Sequence, residues 1–120
     1  PADNAALAVL TGSYSQDGVV GKVQFGPAWW YNDHFYGMTD QLENLAAYSL
    51  MPQFIGMTTD SRNVLSFSRH DYFRRILCNL VATDIENGEI PYVGYEAERV
   101  NQMIEDISYN NAKALNKIFR

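Results

Sequence analysis

The fold class that the sequence predicts is α/β, with two short parallel strands and helices elsewhere. Two apolar runs of strand length, residues 22–26 and 53–58, stand on either side of a stretch with leucines at helical spacing. A strand–helix–strand order with a crossover of this length makes the strands parallel. Parallel strands are nearly always buried within larger sheets, so two of them leave a sheet incomplete. We therefore expect residues 1–120 to form a single segment of a larger domain, and to be predominantly helical if isolated.

Two helices are predicted before the second apolar run. Asp3 is placed to cap a short first helix, and Gly12 stands just past its end. Thr39 or Asp40 is the predicted start of the second helix, which continues through leucines at helical spacing. Because proline cannot continue a helix, Pro52 ends it.

The clearest helical pattern runs from about Arg69 to Asn87. Ser68 and Asp71 stand three residues apart at its start, as in a capping box with a shorter acid. Gly88 follows as a C-terminal cap. One broad apolar stripe runs along this stretch, formed by Phe73, Ile76, Leu77, Leu80, Val81 and Ile85. The sequence therefore predicts a long amphipathic helix here.

Two further helices are predicted at the end of the chain. The first presents one apolar face, made of Val100, Met103, Ile104 and Ile107. The second is a short closing helix that begins near Asn110 or Asn111. Helices therefore dominate the second half of the sequence.

Composition argues against several classes of function. Hydrophobic residues make up 47% of the chain and charged residues 19%, a globular composition with little surface charge. The formal net charge of −5 argues against a nucleic-acid partner, which requires clustered lysine and arginine. No apolar stretch approaches the length of a membrane span, and no basic, apolar leader opens the sequence. We expect a cytoplasmic protein without a membrane partner, whose single cysteine, Cys78, is a buried and inert thiol.

An aromatic cluster follows the first predicted strand, in the stretch FGPAWWYNDH. Trp29 and Trp30 stand here beside a tyrosine, an amide, an acid and an imidazole. Tryptophans bury large areas, so the pair could cap a core. An indole also offers a flat apolar face and an N–H donor, so the same pair could form the wall of a sugar site. At this point the sequence leaves both interpretations open.

A charged cluster follows the second predicted strand, in the stretch GMTTDSR. Asp60 and Arg62 could form an exposed salt bridge that contributes little. At a strand end, aspartate can instead act as an oxygen ligand or a proton acceptor, and arginine can bind a carboxylate with two hydrogen bonds. Ligands of parallel sheets bind beyond the carboxyl ends of the strands, so the aromatic and charged clusters would face one site. His34 and His70 are too far apart in sequence for a local zinc motif.

Four stretches, GKVQFGPAWWYND, GMTTDSR, SRHDYFRRILCNL and YNNAKAL, run from Gly21 into the last helix. Together they resemble the C-terminal quarter of the bacterial uronate isomerases, also called glucuronate isomerases. The resemblance implies the last two strands of a distorted (β/α)8 barrel of TIM type, in the amidohydrolase superfamily. It also implies the activity of the uronate isomerases, which convert D-glucuronate to D-fructuronate, and D-galacturonate to D-tagaturonate, by proton transfer between C1 and C2 of the open-chain sugar.

The resemblance also implies roles for individual residues. Asp60 matches an aspartate that faces a divalent metal, with zinc favoured, and that is the proposed proton-transfer base. Arg62 matches an arginine beside it that contacts the substrate. Trp29 matches a tryptophan that lines the sugar site, and Trp30 is its neighbour. The resemblance thus implies that Asp60 and Arg62 are catalytic and that Asp60 faces the metal. It implies that the substrate-binding residues are Trp29, Trp30 and Arg62, and that the small-molecule partner is a uronic acid.

Most of the implied barrel has no counterpart in this sequence, including the first-strand His-x-His pair. A lone aspartate does not bind zinc tightly, so we expect the isolated chain to bind no metal tightly and to be inactive. Its orphan strands would be covered by the missing N-terminal barrel segment or by self-association. An alternative is a non-catalytic helical module that associates with itself or with a partner chain. A metal-dependent hydrolase on the same barrel is disfavoured, because the tryptophan pair and the TDSR stretch match the isomerases.

Overall fold

The computed structural model describes residues 2–15 and 18–118, and this part of the chain is mainly helical. Its α-helices are α1 (Asn4–Gly12), α2 (Phe35–Tyr48), α3 (Ser68–Glu86), α4 (Tyr95–Glu105) and α5 (Asn111–Ile118). Short 3₁₀ turns cover Trp30–Asn32, Met51–Gln53 and Val64–Phe67, and a π-helical segment, Asp106–Asn110, joins α4 to α5. The expectation of a predominantly helical chain is confirmed. Within the described residues, no helix is both long enough and apolar enough to cross a membrane.

The two predicted strands are not formed within the described residues. The stretches 22–26 and 53–58 are largely irregular, and residues 2–15 and 18–118 make one isolated parallel bridge, between Ala28 and Met57. There the Ala28 N–H donates to the Gly56 carbonyl at 3.2 Å. The prediction of strands was therefore wrong in extent, although the direction of pairing is parallel as expected. Parallel ladders depend on neighbouring strands on both sides, and the described chain supplies one pairing partner for each segment.

α2 begins about one turn earlier than the sequence predicted. Its expected start was Thr39 or Asp40, whereas the helix begins at Phe35. His34 caps it, because the His34 Nδ1 accepts a hydrogen bond from the Gly37 N–H at 3.1 Å. Histidine is not among the preferred N-cap residues, so the pattern pointed to the following threonine and aspartate instead.

α3 agrees with its predicted range to within one residue at each end, but only one of its predicted caps is formed. At the start, the Ser68 hydroxyl donates to a carbonyl of the preceding turn at 2.8 Å, and Asp71 accepts a hydrogen bond from Arg75 at 2.8 Å. No capping box results from this pair. At the end, Gly88 has a φ of 78° and its N–H donates to the Ile85 carbonyl at 3.0 Å. This is the glycine cap that the sequence predicted.

The hydrophobic core lies between α2, α3, the π-helical segment and the chain around Met57. The rings of Phe54 and Phe73 meet here with centroids 6.4 Å apart and planes at 64°. Burial of one large apolar side chain contributes about 1.5–3 kcal/mol, so this cluster fixes the chain that leads to Asp60. The buried members are Ala28, Met38, Leu42, Leu45, Met51, Phe54, Met57, Phe73, Ile76, Leu77, Val81 and Ile107.

The π-helical segment and α5 also contact the stretch of chain that leads to Asp60. The Asn111 side-chain amide donates to the carbonyls of Pro52 and Phe54, at 2.8 Å in each case. Gly56, at a φ of 76°, lies so close to the π-helical segment that an added Cβ would stand within 3.0 Å of the Ile107 carbonyl oxygen. The start of α5 and the π-helical segment therefore position the residues that precede Asp60.

Cys78 is exposed on α3, so the prediction of a buried thiol was wrong. The buried face of α3 is formed by Phe73, Ile76, Leu77 and Val81. Cys78 follows Leu77 in sequence and therefore lies about 100° further round the helix, off that face. An apolar neighbourhood in sequence did not identify the buried side of the helix.

Candidate active site

The parallel bridge brings the two predicted clusters to one edge of the molecule. Ala28 and Met57 lie side by side with their chains running in the same direction. Residues 29–33, here called the tryptophan loop, follow Ala28, and residues 58–62, the aspartate loop, follow Met57. Both loops therefore leave the bridge at the same end. The strand order predicted this arrangement, while the chemical roles of the side chains stay predictions.

Both tryptophans stand at the surface of the tryptophan loop. Trp29 is 37% exposed and Trp30 is 72% exposed, so in this structure the pair does not cap the core. Their rings meet edge to face, with centroids 5.3 Å apart and planes at 68°. Such an exposed aromatic pair presents apolar ring surface to a ligand.

Trp30 and Asp60 share an unusual backbone conformation. Their φ angles are 52° and 44°, and within the described part of the chain they are the two non-glycine residues with positive φ. A conformation of this kind costs about 1–3 kcal/mol and persists only where the surrounding structure enforces it. Such residues concentrate at functional sites, and here one lies in each of the two loops.

The charged side chains of the aspartate loop are exposed and do not pair with each other. Both Asp60 and Arg62 are exposed, and the ion pairs formed near them involve other residues. The alternative in which these two side chains form a surface salt bridge is therefore not observed. Their carboxylate and guanidinium are left accessible to a ligand.

Arg69 connects the two loops, although the sequence analysis did not single it out. Its Nη2 forms an ion pair with the Asp33 carboxylate in the tryptophan loop, and its Nη1 donates to the Thr59 carbonyl at 3.1 Å in the aspartate loop. The Asp33 side chain is 13% exposed and that of Arg69 is 33% exposed, so the contact is partly shielded from water. One sequence signal could have identified Arg69. A positive charge in the first turn of a helix interacts unfavourably with the helix dipole, so an arginine there is expected to bind an acceptor outside the helix.

The histidines do not join Asp60 in a metal site. Among residues 2–15 and 18–118, no group of three His, Cys, Asp or Glu side chains is placed to hold a metal ion. His34 caps α2 instead. Catalytic and structural zinc sites take three or four protein ligands, whereas Asp60 supplies one. The described residues therefore do not fit a complete metal site.

His70 lies close to the aspartate loop in an environment that disfavours its charged form. It lines a cavity of about 480 Å³ together with Met57. Burial lowers the pKa of His70, and the positive charges of Arg74 and Arg69 lower it further. The neutral imidazole is therefore favoured in the folded protein.

We expect acidification to destabilise the protein through His70. Its pKa is lowered in the folded state and returns to about 6.5 in the unfolded chain, so the unfolded chain binds the proton more tightly. The contribution of His70 to stability is present above the unfolded pKa and is lost as the pH falls through the folded pKa. Urea unfolding of wild type and His70→Gln at about pH 7.5 and about pH 5.5 measures this loss. The variant should lose less stability on acidification, and equal losses would contradict the assignment.

Comparison with known proteins places this chain among the uronate isomerases. The family model for glucuronate isomerase matches residues 1–116, which extends the resemblance through residues 1–20. The uronate isomerase of Bacteroides thetaiotaomicron is 53% identical over 113 residues, covering 94% of this chain and 24% of that relative. The uronate isomerase of Phocaeicola vulgatus is 51% identical with the same coverage. That of Halalkalibacterium halodurans is 52% identical over 111 residues, covering 92% of this chain and 23% of the relative.

The match covers nearly the whole chain and includes both loops of the candidate site. The chain spans about a quarter of the length of these curated relatives. Because the family model matches almost every residue, and the relatives share about half of the aligned residues, the relationship does not depend on a short motif. The chain belongs to the glucuronate isomerase family.

Proposed function

We propose that this chain supplies the tryptophan loop and the aspartate loop to the active site of an aldose–ketose isomerase that acts on uronic acids. The observation that carries the proposal is the parallel bridge between Ala28 and Met57, which places both loops at one edge in a member of the glucuronate isomerase family. The names of the relatives support the substrate class. The proposed reactions are D-glucuronate to D-fructuronate and D-galacturonate to D-tagaturonate.

The proposed chemistry uses the two charged side chains of the aspartate loop. In the aldose-to-ketose direction, the Asp60 carboxylate removes the proton from C2 of the open-chain sugar and returns it to C1. A second proton passes from O2 to O1, which completes the balance of the isomerisation. Negative charge develops on the carbonyl oxygen while C2 is deprotonated, and the Arg62 guanidinium stabilises it by charge-assisted hydrogen bonds. One positioned general base accelerates such a step by about 10²–10⁴-fold.

Trp29 and Trp30 are proposed to line the sugar-binding side of the site. Their exposed rings can pack against the apolar C–H face of a sugar, which orients C1 and C2 toward Asp60. Asp60 is also proposed to contribute one ligand to a divalent metal, with zinc favoured. The other ligands would have to come from outside the described residues, and none of the proton transfers above is assigned to the metal.

In the whole protein, we propose that the remaining strands of a (β/α)8 barrel enclose these loops. The support is the length of the relatives, of which this chain covers about a quarter. The chain alone is accordingly proposed to be inactive, and the complete enzyme to work in the cytoplasm.

A chimeric enzyme tests the proposal. The matched 113 residues of the Bacteroides thetaiotaomicron uronate isomerase are replaced by the corresponding residues of this chain. We expect this chimera to convert D-glucuronate to the ketouronate in the presence of zinc, and the chain alone to show no turnover. A chimera that folds, as judged by circular dichroism (CD), but has no activity would contradict the proposed function. Turnover by the chain alone would contradict the requirement for the rest of the barrel.

A second candidate is a non-catalytic helical module that associates with itself or with a partner chain. Large apolar side chains support it, because Leu65 is 80% exposed and Val93 is 83% exposed. Exposed apolar surface of this kind favours association. The activity of the chimera separates the two candidates. A non-catalytic module would associate with increasing concentration in sedimentation equilibrium and would leave the folded chimera inactive, whereas an isomerase segment would make the chimera active.

A further inference from the structure

Arg69 binds both loops of the candidate site at once. On the aspartate loop, its Nη1 donates to the carbonyl of Thr59, which is 7% exposed. The same carbonyl accepts a hydrogen bond from the Ser61 hydroxyl at 3.2 Å. The residues on either side of Asp60 are therefore held through one buried carbonyl.

On the tryptophan loop, the contact of Arg69 is made with Asp33, at the end of the 3₁₀ turn. The Asp33 N–H donates to the Trp30 carbonyl at 2.9 Å. The Asn32 N–H donates to the Trp29 carbonyl at 3.2 Å. A side chain that fixes Asp33 therefore also fixes the turn that carries both tryptophans.

The guanidinium group suits this double contact. It is planar and presents several N–H donors at fixed angles, so one arginine can bind two acceptors that lie in different directions. An ammonium group is a single point charge and would bind one of them well. Trp30 and Asp60 both have positive φ angles, and such conformations need support from surrounding structure. Arg69 contacts Asp33, three residues after Trp30, and Thr59, the residue before Asp60.

We propose that Arg69 is a positioning residue, which holds the tryptophan loop and the aspartate loop in one relative arrangement. It does so by binding the Asp33 carboxylate and the Thr59 carbonyl simultaneously. Its consequence for catalysis rests on the proposed function, because the two loops would carry the sugar-binding wall and the proton-transfer base. The structural part of the proposal can be tested without any activity.

The spectroscopic test uses the two tryptophans of the chain, both of which lie in the tryptophan loop. Tryptophan fluorescence and the tryptophan bands of the near-ultraviolet CD spectrum therefore report on this loop. Arg69→Gln is expected to change both signals while the far-ultraviolet CD stays at the wild-type level. Arg69→Lys keeps the charge but binds one acceptor well, so its changes should be no larger than those of Arg69→Gln. A wild-type tryptophan signal from Arg69→Gln would overturn the proposal.

Two further variants serve as control and cross-check. Arg75→Gln also removes an α3 arginine from a carboxylate partner, Asp71 at 2.8 Å, and should leave the tryptophan signals unchanged. Asp33→Asn removes the same contact from the loop side, so it should change the tryptophan signals as Arg69→Gln does. The double variant, Arg69→Gln with Asp33→Asn, should show no larger change than either single variant. Additive changes would refute the shared contact. If Arg69→Gln fails to fold, Asp33→Asn decides by the same criterion.

In the chimera, Arg69→Gln is expected to lower kcat by about tenfold to a hundredfold and to change KM by less than about threefold, because misplacement of the reacting groups affects the chemical step most. A wild-type kcat in the folded variant would overturn the positioning role. An inactive wild-type chimera would instead count against the proposed function, and the tryptophan signals would still decide the structural claim.

Discussion

Asp60→Asn in the chimeric enzyme is expected to lower kcat by about 10²–10⁴-fold while leaving the fold unchanged. The amide has nearly the shape of the carboxylate but cannot accept a proton at neutral pH. Asp60 is exposed and is not paired with Arg62, so the substitution removes no ion pair between them. Asparagine also tolerates the φ of 44° found at this position. Loss of activity would therefore reflect lost chemistry, which kcat and KM for D-glucuronate measure directly.

Asp3→Asn is the matched control for this substitution. Asp3 is an exposed aspartate that makes no side-chain capping hydrogen bond to α1, so its replacement should leave kcat unchanged. Full activity of the Asp60→Asn chimera would remove Asp60 from the mechanism. Equal losses in both variants would point to the overall charge of the chain and would contradict the specific role of Asp60.

Gly56→Ala is expected to lower the free energy of unfolding by about 2–5 kcal/mol. Two physical costs add at this position. A left-handed conformation, with φ at 76°, is unfavourable for alanine, and the new Cβ would stand within 3.0 Å of the Ile107 carbonyl oxygen. Because that oxygen belongs to the backbone of the π-helical segment, it cannot move aside as a flexible side chain would. Urea unfolding followed by far-ultraviolet CD measures the loss.

Gly88→Ala separates the two costs. Gly88 has a φ of 78°, nearly that of Gly56, but an added Cβ there would meet no atom within 4 Å. Gly88→Ala should therefore lower the free energy of unfolding by about 1–2 kcal/mol, because of the unfavourable backbone conformation alone. If Gly56→Ala were no more destabilising than Gly88→Ala, the close packing of the π-helical segment against Gly56 would be disproved.

The helices could be predicted from the sequence wherever their signals are local. The apolar stripe and Gly88 located α3, and the polar residues at Asn110 and Asn111 located the start of α5. The start of α2 was missed because His34 performs the capping. The strands could not be predicted correctly from local pattern, because a strand exists only when partners pair with it, and the described chain forms one bridge.

The candidate site was only partly accessible to sequence reasoning. The positions of Trp29 and Asp60 at one edge followed from the order of elements, since parallel segments end on the same side. The contact between Arg69 and Asp33 did not, because the two residues lie in different elements and no local spacing rule connects them. The positive φ angles at Trp30 and Asp60 were equally hidden, since neither residue type favours that conformation strongly enough to predict it.

The hydrogen bonds from Asn111 to the carbonyls of Pro52 and Phe54 have a consequence for folding during synthesis. These partners lie 59 and 57 residues apart in sequence. At about 5–20 residues per second, a ribosome needs about 3–12 s to make the chain between them. Throughout that interval the Pro52 and Phe54 carbonyls lack the Asn111 side-chain amide that later donates to them. The nascent protein therefore passes through a period in which the edge that carries Asp60 is open to chaperones, and to pairing with other unfinished chains.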